Sequence, residues 1–392
     1  MWPDGFDVKK CITMLIGKNC ANVVQSDIFV DNWKIEYEDI PDSAETKLVE
    51  TFCGQIAMQR TEEQKYLGFV LSSKGDNMAN IREVKKKSIG VIRKIMNKLK
   101  CLNLQKYYFE CAMIFMDSML RGSILYAADM YYNLKESELR QIERIEESYL
   151  RQVLKTTRGC PISQIYLETG QIPARFEIKK MRLMYLKNIL EQNEDSQIFK
   201  FFQLQMAEPS KGDWVSRCST DLKELGISEQ FDEIRKMKKI KFSTLVKSRV
   251  RDNALQYLKK KQRSKGSEIV YNNTELADYL QPINPMPIEK KQKLFAVRNR
   301  MIQIPNNFPK SETKAKCFCG KIEDMSHVYN CKILNEEVIP SEKYENIYNG
   351  TISQQTEILK KFEQNMDKRE QILKENDPPC DPLCDPRLFI DL

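Results

Sequence analysis

The sequence predicts a mainly α-helical protein with a small β-rich part at its N-terminal end. Two observations carry this prediction. From Asn77 onward, apolar residues recur mostly at three- and four-residue spacing, which is typical of helices with a buried face. Before that point, short apolar runs are separated by Gly, Asn, Asp and Pro, as strands and turns are. With 392 residues the chain is too long for one ordinary core, so we expect two or three domains.

Residues 1–75 carry the strand pattern. Three runs, CITMLIG, DIFVDNWKIEY and QKYLGFVLSS, are each interpreted as one strand. Three strands rarely make a stable domain alone, so we expect this part to be the edge of something larger.

Residues 76–160 are predicted to form a bundle of three helices. The first includes the sequence MANIREVKKKSIGVIRKIMNKLK, and the second, within 111–132, is apolar nearly all round and so is expected to be buried. The third, over 134–156, is the most regularly amphipathic. Its apolar positions share one face, and its other face alternates acidic and basic residues as helix ion pairs do.

Residues 161–310 are predicted to be a helical linker whose second half is strongly basic. Between Asp232 and Arg300 there are 18 Lys or Arg and 7 Asp or Glu, a net charge of +11 against +8 for the whole chain. Localised basic charge is typical of a nucleic-acid-binding surface, although solvated helix faces in Lys-rich proteins have it too. The candidate nucleic-acid contacts are Lys238, Lys239, Arg249, Arg251, Lys259, Lys260, Lys261, Arg263 and Lys265.

Aromatic residues lie between these cations. They are Phe242, Tyr257, Tyr271, Tyr279 and Phe295. Such side chains either stack on bases, while Lys and Arg follow the phosphates, or face the core of short helices.

Residues 311–335 contain a dense group of metal-ligating side chains. Cys317, Cys319, His327 and Cys331 follow the spacing C-x-C-x7-H-x3-C, and His327 is the only histidine of the chain. Three thiolates and one imidazole suit a tetrahedral zinc ion, and a set of four protein ligands leaves no open position for a substrate. The motif therefore predicts a structural zinc knuckle, although only one residue separates the first two cysteines where two to four are usual. The alternative is a few reduced cysteines and a surface histidine.

Residues 336–392 are predicted to be a polar, acidic and partly disordered tail. From Lys332 to Leu392 there are 8 basic and 13 acidic residues. The run TISQQTEILKKFEQNMDKREQILKE is predicted to be one exposed helix, and the proline-rich end cannot be regular.

Composition excludes several classes of protein. There is no apolar run of eighteen or more residues, so no membrane span is expected, and the first residues lack the pattern of a secretory signal. Twelve cysteines in a long, charged chain are typical of reduced thiols, so we expect an intracellular protein, in either the nucleus or the cytoplasm.

Several segments resemble one family of polymerases. The segment 65–69, with Gly75 after it, resembles the YLG strand between palm and thumb in reverse transcriptases of non-long-terminal-repeat (LINE-like) retrotransposons. The segments 168–173 and 180–186 resemble the region after the thumb, where R-L-x-Y-L is common. Residues 7–17 are similar to a strand just beyond the polymerase active site. The knuckle is similar to one that follows these segments in several clades, so the resemblance covers about residues 5–335.

The resemblance implies the C-terminal part of such an enzyme. Residues 1–75 would be a palm remnant, 76–160 a thumb-like bundle, 161–310 a linker, 311–335 the knuckle and 336–392 a tail. Polymerase chemistry needs paired carboxylates holding two magnesium ions, and this chain has no Asp-Asp pair. No catalytic residue can be assigned, and magnesium would belong only to a polymerase part outside this sequence.

Two functions follow as hypotheses. The first is a nucleic-acid-binding fragment of a retrotransposon reverse transcriptase that contains a structural zinc ion. Its partners would be RNA or DNA and the rest of the retroelement polyprotein. The alternative is a helical protein-interaction module with a structural zinc site, in which the charged face of 134–156 and the acidic tail meet a partner. An independent enzyme is disfavoured, because the candidate carboxylates alternate with cations and zinc would hold the sole histidine. These carboxylates are Asp221 with Glu224, or Glu143 with Glu146 and Glu147.

Overall fold

The computed structural model describes most of the chain from residue 63 onward and short strands before it. The described residues are 12–13, 29–39, 46–57, 59–60, 63–72, 77–102, 104–131, 134–208, 213–227, 230–263, 275–301, 316–317, 319–322, 324–335 and 341–376. Up to residue 60 the description is of backbone alone. The protein is mainly helical with small β-sheets at its N-terminal end, as the sequence predicts.

The strands form three two-stranded sheets among the described residues. Strand β1 (Ile12–Thr13) pairs in parallel with β4 (Gln59–Arg60), and β2 (Phe29–Asp39) pairs antiparallel with β3 (Thr46–Ala57). The β2–β3 ladder shifts register between Asp31 and Trp33. The predicted β-rich character of this part is confirmed, and the second predicted strand is β2.

Residues 63–72 form a hairpin, so the interpretation of the run QKYLGFVLSS as one strand is wrong. Strand β5 (Glu63–Tyr66) turns at Leu67 and Gly68 into β6 (Phe69–Ser72), and both turn residues have positive φ, 45° and 88°. Two residues of positive φ match the twist of a tight hairpin. A leucine is unusual there, which is why the sequence pattern concealed the turn.

Helices make up the rest of the described chain. They are α1 (Met78–Cys101), α2 (Tyr108–Phe115), α3 (Gly122–Ile124), α4 (Glu136–Leu154), α5 (Ile162–Thr169), α6 (Ala174–Leu190), α7 (Gln197–Ala207), α8 (Trp214–Glu224), α9 (Phe231–Lys236), α10 (Lys239–Arg263), α11 (Ile288–Arg298), α12 (Met325–Asn330), α13 (Ser341–Asn349) and α14 (Ile352–Asn376). A π-helical turn, Met116–Arg121, joins α2 to α3, so the predicted second helix of the bundle changes type within its length. None of the described helices is both long and apolar enough to cross a membrane.

Two hydrophobic cores hold these helices together. The larger core is built from α1 to α4, which correspond to the predicted bundle, together with α5, α11, α12, α13 and α14. It includes Tyr149, Phe295 and Phe362, all nearly fully buried. The smaller packs α6 against α7, α8, α9 and α10 around residues such as Leu186 and Val246. One core therefore joins residues of the predicted bundle, linker, knuckle and tail.

The predicted tail contributes to the larger core. Helix α14 is not the exposed helix that its polar sequence predicts, because Ile358, Leu359 and Phe362 are buried on one side of it. Arg298 at the end of α11 donates to the Ile347 and Tyr348 carbonyls of α13, at 2.6 and 2.9 Å. The proline-rich end lies outside the described residues.

Gly170 is at a turn between α5 and α6 that no larger residue fits. Its φ is +68°, and a Cβ there would lie 2.5 Å from the backbone carbon of Glu275. We expect Gly170→Ala to cost about 2–3 kcal/mol, from left-handed strain and a backbone clash together. Gly226→Ala is the matched control, because Gly226 has a φ of +62° with no atom near its missing Cβ. Urea unfolding of the two variants measures the difference, and equal losses would contradict the clash.

Candidate metal centre and basic surface

The four predicted zinc ligands converge on one point. Their ligand atoms all lie within 4.8 Å of one another. The Sγ atoms of Cys317 and Cys331 are 3.7 Å apart, and the Sγ of Cys319 is 3.3 Å from Nε2 of His327. The structure brings together side chains that are up to fourteen residues apart in the sequence.

Local structure explains how these side chains meet. The N–H of Cys317 donates to the Lys321 carbonyl at 2.8 Å, which closes a tight turn that carries Cys319. Helix α12 then follows Asp324, whose Oδ1 accepts from the backbone N–H of His327 at 2.7 Å. An Asp at this position is a favoured helix cap, and it fixes His327 in the first turn. Cys331 follows the last residue of the same helix.

The distances suit a tetrahedral zinc ion. With zinc–sulfur bonds of about 2.3 Å, two thiolate sulfurs on a tetrahedron are about 3.8 Å apart, close to the 3.7 Å between Cys317 and Cys331. A disulfide would require about 2.05 Å. The cluster therefore could hold a metal ion, as the sequence predicts, and its three sulfurs and one imidazole favour zinc.

The pKa values of the cysteine thiols also indicate that the cluster needs a cation. Burial raises the pKa of the Cys317 thiol to about 12, so that sulfur stays protonated at neutral pH unless a positive charge compensates. At Cys319 burial acts in the same direction, but the backbone N–H of Lys321 and the neighbouring thiols outweigh it and lower the pKa. A zinc ion would supply the charge that makes all three sulfurs thiolates.

Helix α14 supports the metal-ligand cluster through hydrogen bonds of a buried asparagine. Asn365, which is 1% exposed, donates from Nδ2 to the Val328 carbonyl at 3.0 Å and contacts Oδ1 of Asn335 at 3.2 Å. Asn335 in turn donates to the Cys331 carbonyl at 2.8 Å. These two amides donate to carbonyls at the end of α12, where the helix leaves its last carbonyls without intrahelical partners; the Cys331 carbonyl also accepts from the backbone N–H groups of Leu334 and Asn335. The position of Cys331 therefore depends on a helix that sequence reasoning placed in an acidic tail.

Comparison with known proteins adds no identity. No family model, curated protein or solved structure matches this chain.

The predicted basic residues lie mainly on α10. Five members of the set, Lys238, Lys239, Arg249, Arg251 and Lys260, are exposed, and Lys259 is half-buried. None of these six makes an ion pair or a hydrogen bond through its side chain among the described residues. Lys261 is exposed and lies 4.6 Å from the Tyr257 ring centroid. Arg263 ends the helix, but its side chain and the whole of Lys265 lie outside the described residues.

The cations surround α10 on all its open sides. The buried stripe of the helix is Phe242, Val246, Val250, Ala254 and Leu258, one residue every fourth position. Arg249 and Arg251 flank Val250 and therefore point to opposite sides of this stripe, since successive helical residues are about 100° apart. The basic set is thus a wrapped surface and is not one flat face.

The aromatic residues between these cations serve the cores. Phe242, Tyr279 and Phe295 are buried, and Tyr257 packs edge to face on Phe176 with ring centroids 5.4 Å apart. For these four the core-facing alternative is correct. Tyr271 lies outside the described residues.

A second basic helix was missed by the sequence reasoning. Helix α1 carries eight Lys or Arg against one acidic residue, Glu83. Six of these cations are exposed and make no ion pair or side-chain hydrogen bond within the described chain: Lys85, Lys86, Arg93, Lys94, Lys98 and Lys100. Counting charge per helix, as for α10 with nine cations against Asp252, would have revealed it.

The carboxylates considered for catalysis are structural. Glu143 binds Arg175, Glu147 binds Arg140 and Asp221 binds Arg182. Glu146 is fully buried and binds Arg121, with 2.8 Å between Nε and Oε1. The buried glutamates of α4 are therefore paired with arginines of the same chain, whereas Arg144 and Glu136 stay exposed.

Proposed function

We propose that this chain is a nucleic-acid-binding protein with a structural zinc centre. Helices α10 and α1 would contact the phosphates, and the zinc module would hold α13 and α14 on the core. The single observation that carries the proposal is the state of the exposed cations on these two helices. Most of them, including Lys85, Arg93, Arg249 and Arg251, have no acidic partner in the described chain, whereas the buried cations Arg121, Arg182 and Arg298 all form ion pairs.

The energetics favour a polyanion as the partner. Helices α10 and α1 carry net charges of +8 and +7, while the whole chain carries only +8. Like charges held together on a surface repel one another, which is unfavourable. When these cations neutralise the phosphates of a nucleic acid, the counterions condensed on the phosphates are released into solution, and this release favours binding. Such binding weakens steeply as salt rises.

We further propose that this activity belongs to the C-terminal part of a LINE-like reverse transcriptase. The order of the resembling segments supports this. Their residues also occupy positions that fix the core, since Gln171 binds Arg121 and Arg182 binds Asp221. The remainder of such a polyprotein, with its magnesium-dependent polymerase site, would then be a partner.

The protein-interaction alternative is favoured by one different surface. Helix α7 exposes Phe201 and Leu204 at 62% and 66%, with Ile198 on the same side. Isolated exposed apolar side chains are common, but three on one helical face are typical of a contact surface. If the chain bound a protein partner and no nucleic acid, this face of α7 would be the expected contact surface.

A titration with charge-matched variants tests the proposal. We expect Lys259→Gln/Lys260→Gln to weaken binding to RNA or DNA and to lower the salt slope by about one for each lysine that contacts a phosphate. The control is Lys360→Gln/Lys361→Gln on α14, which removes the same charge from another helix. Fluorescence anisotropy at roughly 50 and 200 mM salt measures both.

Two outcomes contradict the proposal. One is the absence of binding to single- or double-stranded RNA and DNA at the lower salt concentration. The other is an equal loss in both double variants, which would mean that net charge alone attracts nucleic acid.

A further inference from the structure

A groove of about 1000 Å³ lies between three parts of the protein. Its walls are the segment from Asp117 to Asp129, the turn from Gly170 to Ile172 with α6 from Glu177 to Tyr185, and Arg251 of α10. The volume is large enough for a nucleotide, and the groove is open to solvent.

The charges inside the groove are balanced. Arg121 pairs with Asp117 at 2.7 Å, and Lys180 pairs with Glu177. Asp129 and Arg251 remain, and in the described chain neither side chain makes an ion pair or a hydrogen bond. A neutral groove does not attract a polyanion by charge alone, in contrast to the outer surfaces of α1 and α10. Its ligand must combine one anionic group with groups that donate hydrogen bonds.

Two tyrosines give the groove aromatic walls. Tyr126 is 52% exposed, and its hydroxyl donates to the Leu67 carbonyl at 2.8 Å. Tyr185 packs edge to face on Trp214 with centroids 5.7 Å apart, and the Trp214 indole N–H donates to the Asp129 carbonyl at 2.8 Å. Both rings are held by neighbours, so a planar ligand would meet rigid surfaces and lose little freedom of the protein on binding.

We propose that the groove holds one unstacked base of a single-stranded segment, an inference that rests on the proposed nucleic-acid binding. The base stacks on Tyr126, the Asp129 carboxylate accepts a hydrogen bond from its exocyclic amino group, and Arg251 pairs with its phosphate. Aromatic stacking on bases is tolerant of sequence, whereas a carboxylate acceptor selects bases that carry an amino group. The groove therefore favours cytosine over thymine.

Arg249 and Arg251 provide the first test. They are the same residue type, are both exposed and unpaired in the described chain, and flank the same buried Val250. Only Arg251 lines the groove. With oligodeoxycytidine of about 12 nucleotides, we expect Arg251→Gln to weaken binding about tenfold more than Arg249→Gln does.

Base identity and crosslinking provide the second test. Wild type should bind oligodeoxycytidine more tightly than oligothymidine, and Asp129→Asn should remove this preference. A single iodinated cytosine, irradiated in the complex, should crosslink to the peptide that contains Tyr126. Tyr126→Phe keeps the ring and should retain binding, whereas Tyr126→Leu should weaken it about tenfold. Circular dichroism of both variants shows whether they fold.

The failures are distinguishable. Wild type that binds no oligonucleotide at low salt overturns the proposed function and this inference together. Wild type that binds, but with equal losses in the two arginine variants and crosslinks only outside the groove, overturns the base site and leaves the proposed function standing.

Discussion

Removing zinc is expected to release the C-terminal helices from the core. Cys331 is fully buried, and its sulfur is one of four ligand atoms within 4.8 Å. Structural zinc contributes roughly 10–16 kcal/mol to the folding of small zinc modules, so Cys331→Ser should cost several kcal/mol at least. The wild type should contain one zinc ion per chain by elemental analysis, and the variant none.

The loss of structure should be confined to the C-terminal helices. Without the metal, the turn at Cys317 and helix α12 lose their common anchor, and the amides of Asn335 and Asn365 lose the carbonyls that they satisfy. Hydrogen exchange with and without a chelator should therefore show faster exchange in α12, α13 and α14. Helix α4 should keep its protection, because it packs mainly against α1, α5, α6 and the π-helical turn, which lie outside the zinc module.

A cysteine outside the cluster serves as the control. Cys218 is also fully buried but lies in the smaller core, against α6. Cys218→Ser introduces the same hydroxyl into an apolar site and should leave the zinc content unchanged. A wild-type chain that binds no zinc, or a Cys331→Ser chain with unaltered exchange in α14, would contradict a structural metal centre.

The zinc ligands were predictable because the site is local. All four lie within fifteen residues, and the types of side chain themselves define the chemistry. The amphipathic pattern of α4 was predictable for the same reason. Its apolar positions Ile142, Tyr149 and Val153 are buried as expected.

What the sequence did not reveal depends on distant partners. In the sequence, the glutamates of α4 resemble a solvated helix face. In the fold they pair with Arg121 and Arg175 of other helical segments, and Arg175 is 32 residues from its partner Glu143. Helix α14 appears polar because only a few apolar residues, such as Ile358 and Phe362, meet the core. Neither fact is present in a local pattern, since each requires knowledge of which helices become neighbours.

The ion pair between Arg121 and Glu146 is expected to be the strongest single polar contact of the fold. Burial alone would lower the pKa of Arg121, but Glu146, Glu177 and Asp117 together raise it. Glu146 also accepts from the Tyr166 hydroxyl at 3.0 Å and the Ala174 N–H at 2.9 Å. Arg121→Met leaves this buried carboxylate without its cation, which should cost about 3–5 kcal/mol.

The same variant should show a characteristic pH dependence. Burial raises the pKa of Glu146, and Arg121 opposes that effect. In Arg121→Met the burial is unopposed, so the folded protein favours the protonated acid. A carboxyl whose folded pKa is raised contributes stability below its unfolded pKa and loses it as pH rises through the folded pKa. The destabilisation should therefore be smaller near about pH 5 than near about pH 8.

Two further variants decide whether charge is the cause. Arg121→Met/Glu146→Leu removes both charges, and it should recover part of the stability that Arg121→Met loses, because no ion is then buried alone. Arg82→Met breaks an exposed pair with Glu63 and should cost less than about 1 kcal/mol. Denaturant unfolding at both pH values measures these three variants and the single substitution Glu146→Leu, which completes the double-mutant cycle. If the double variant is as unstable as the sum of its single substitutions, the loss comes from packing around Arg121, and the buried charge is not what couples the π-helical turn to α4.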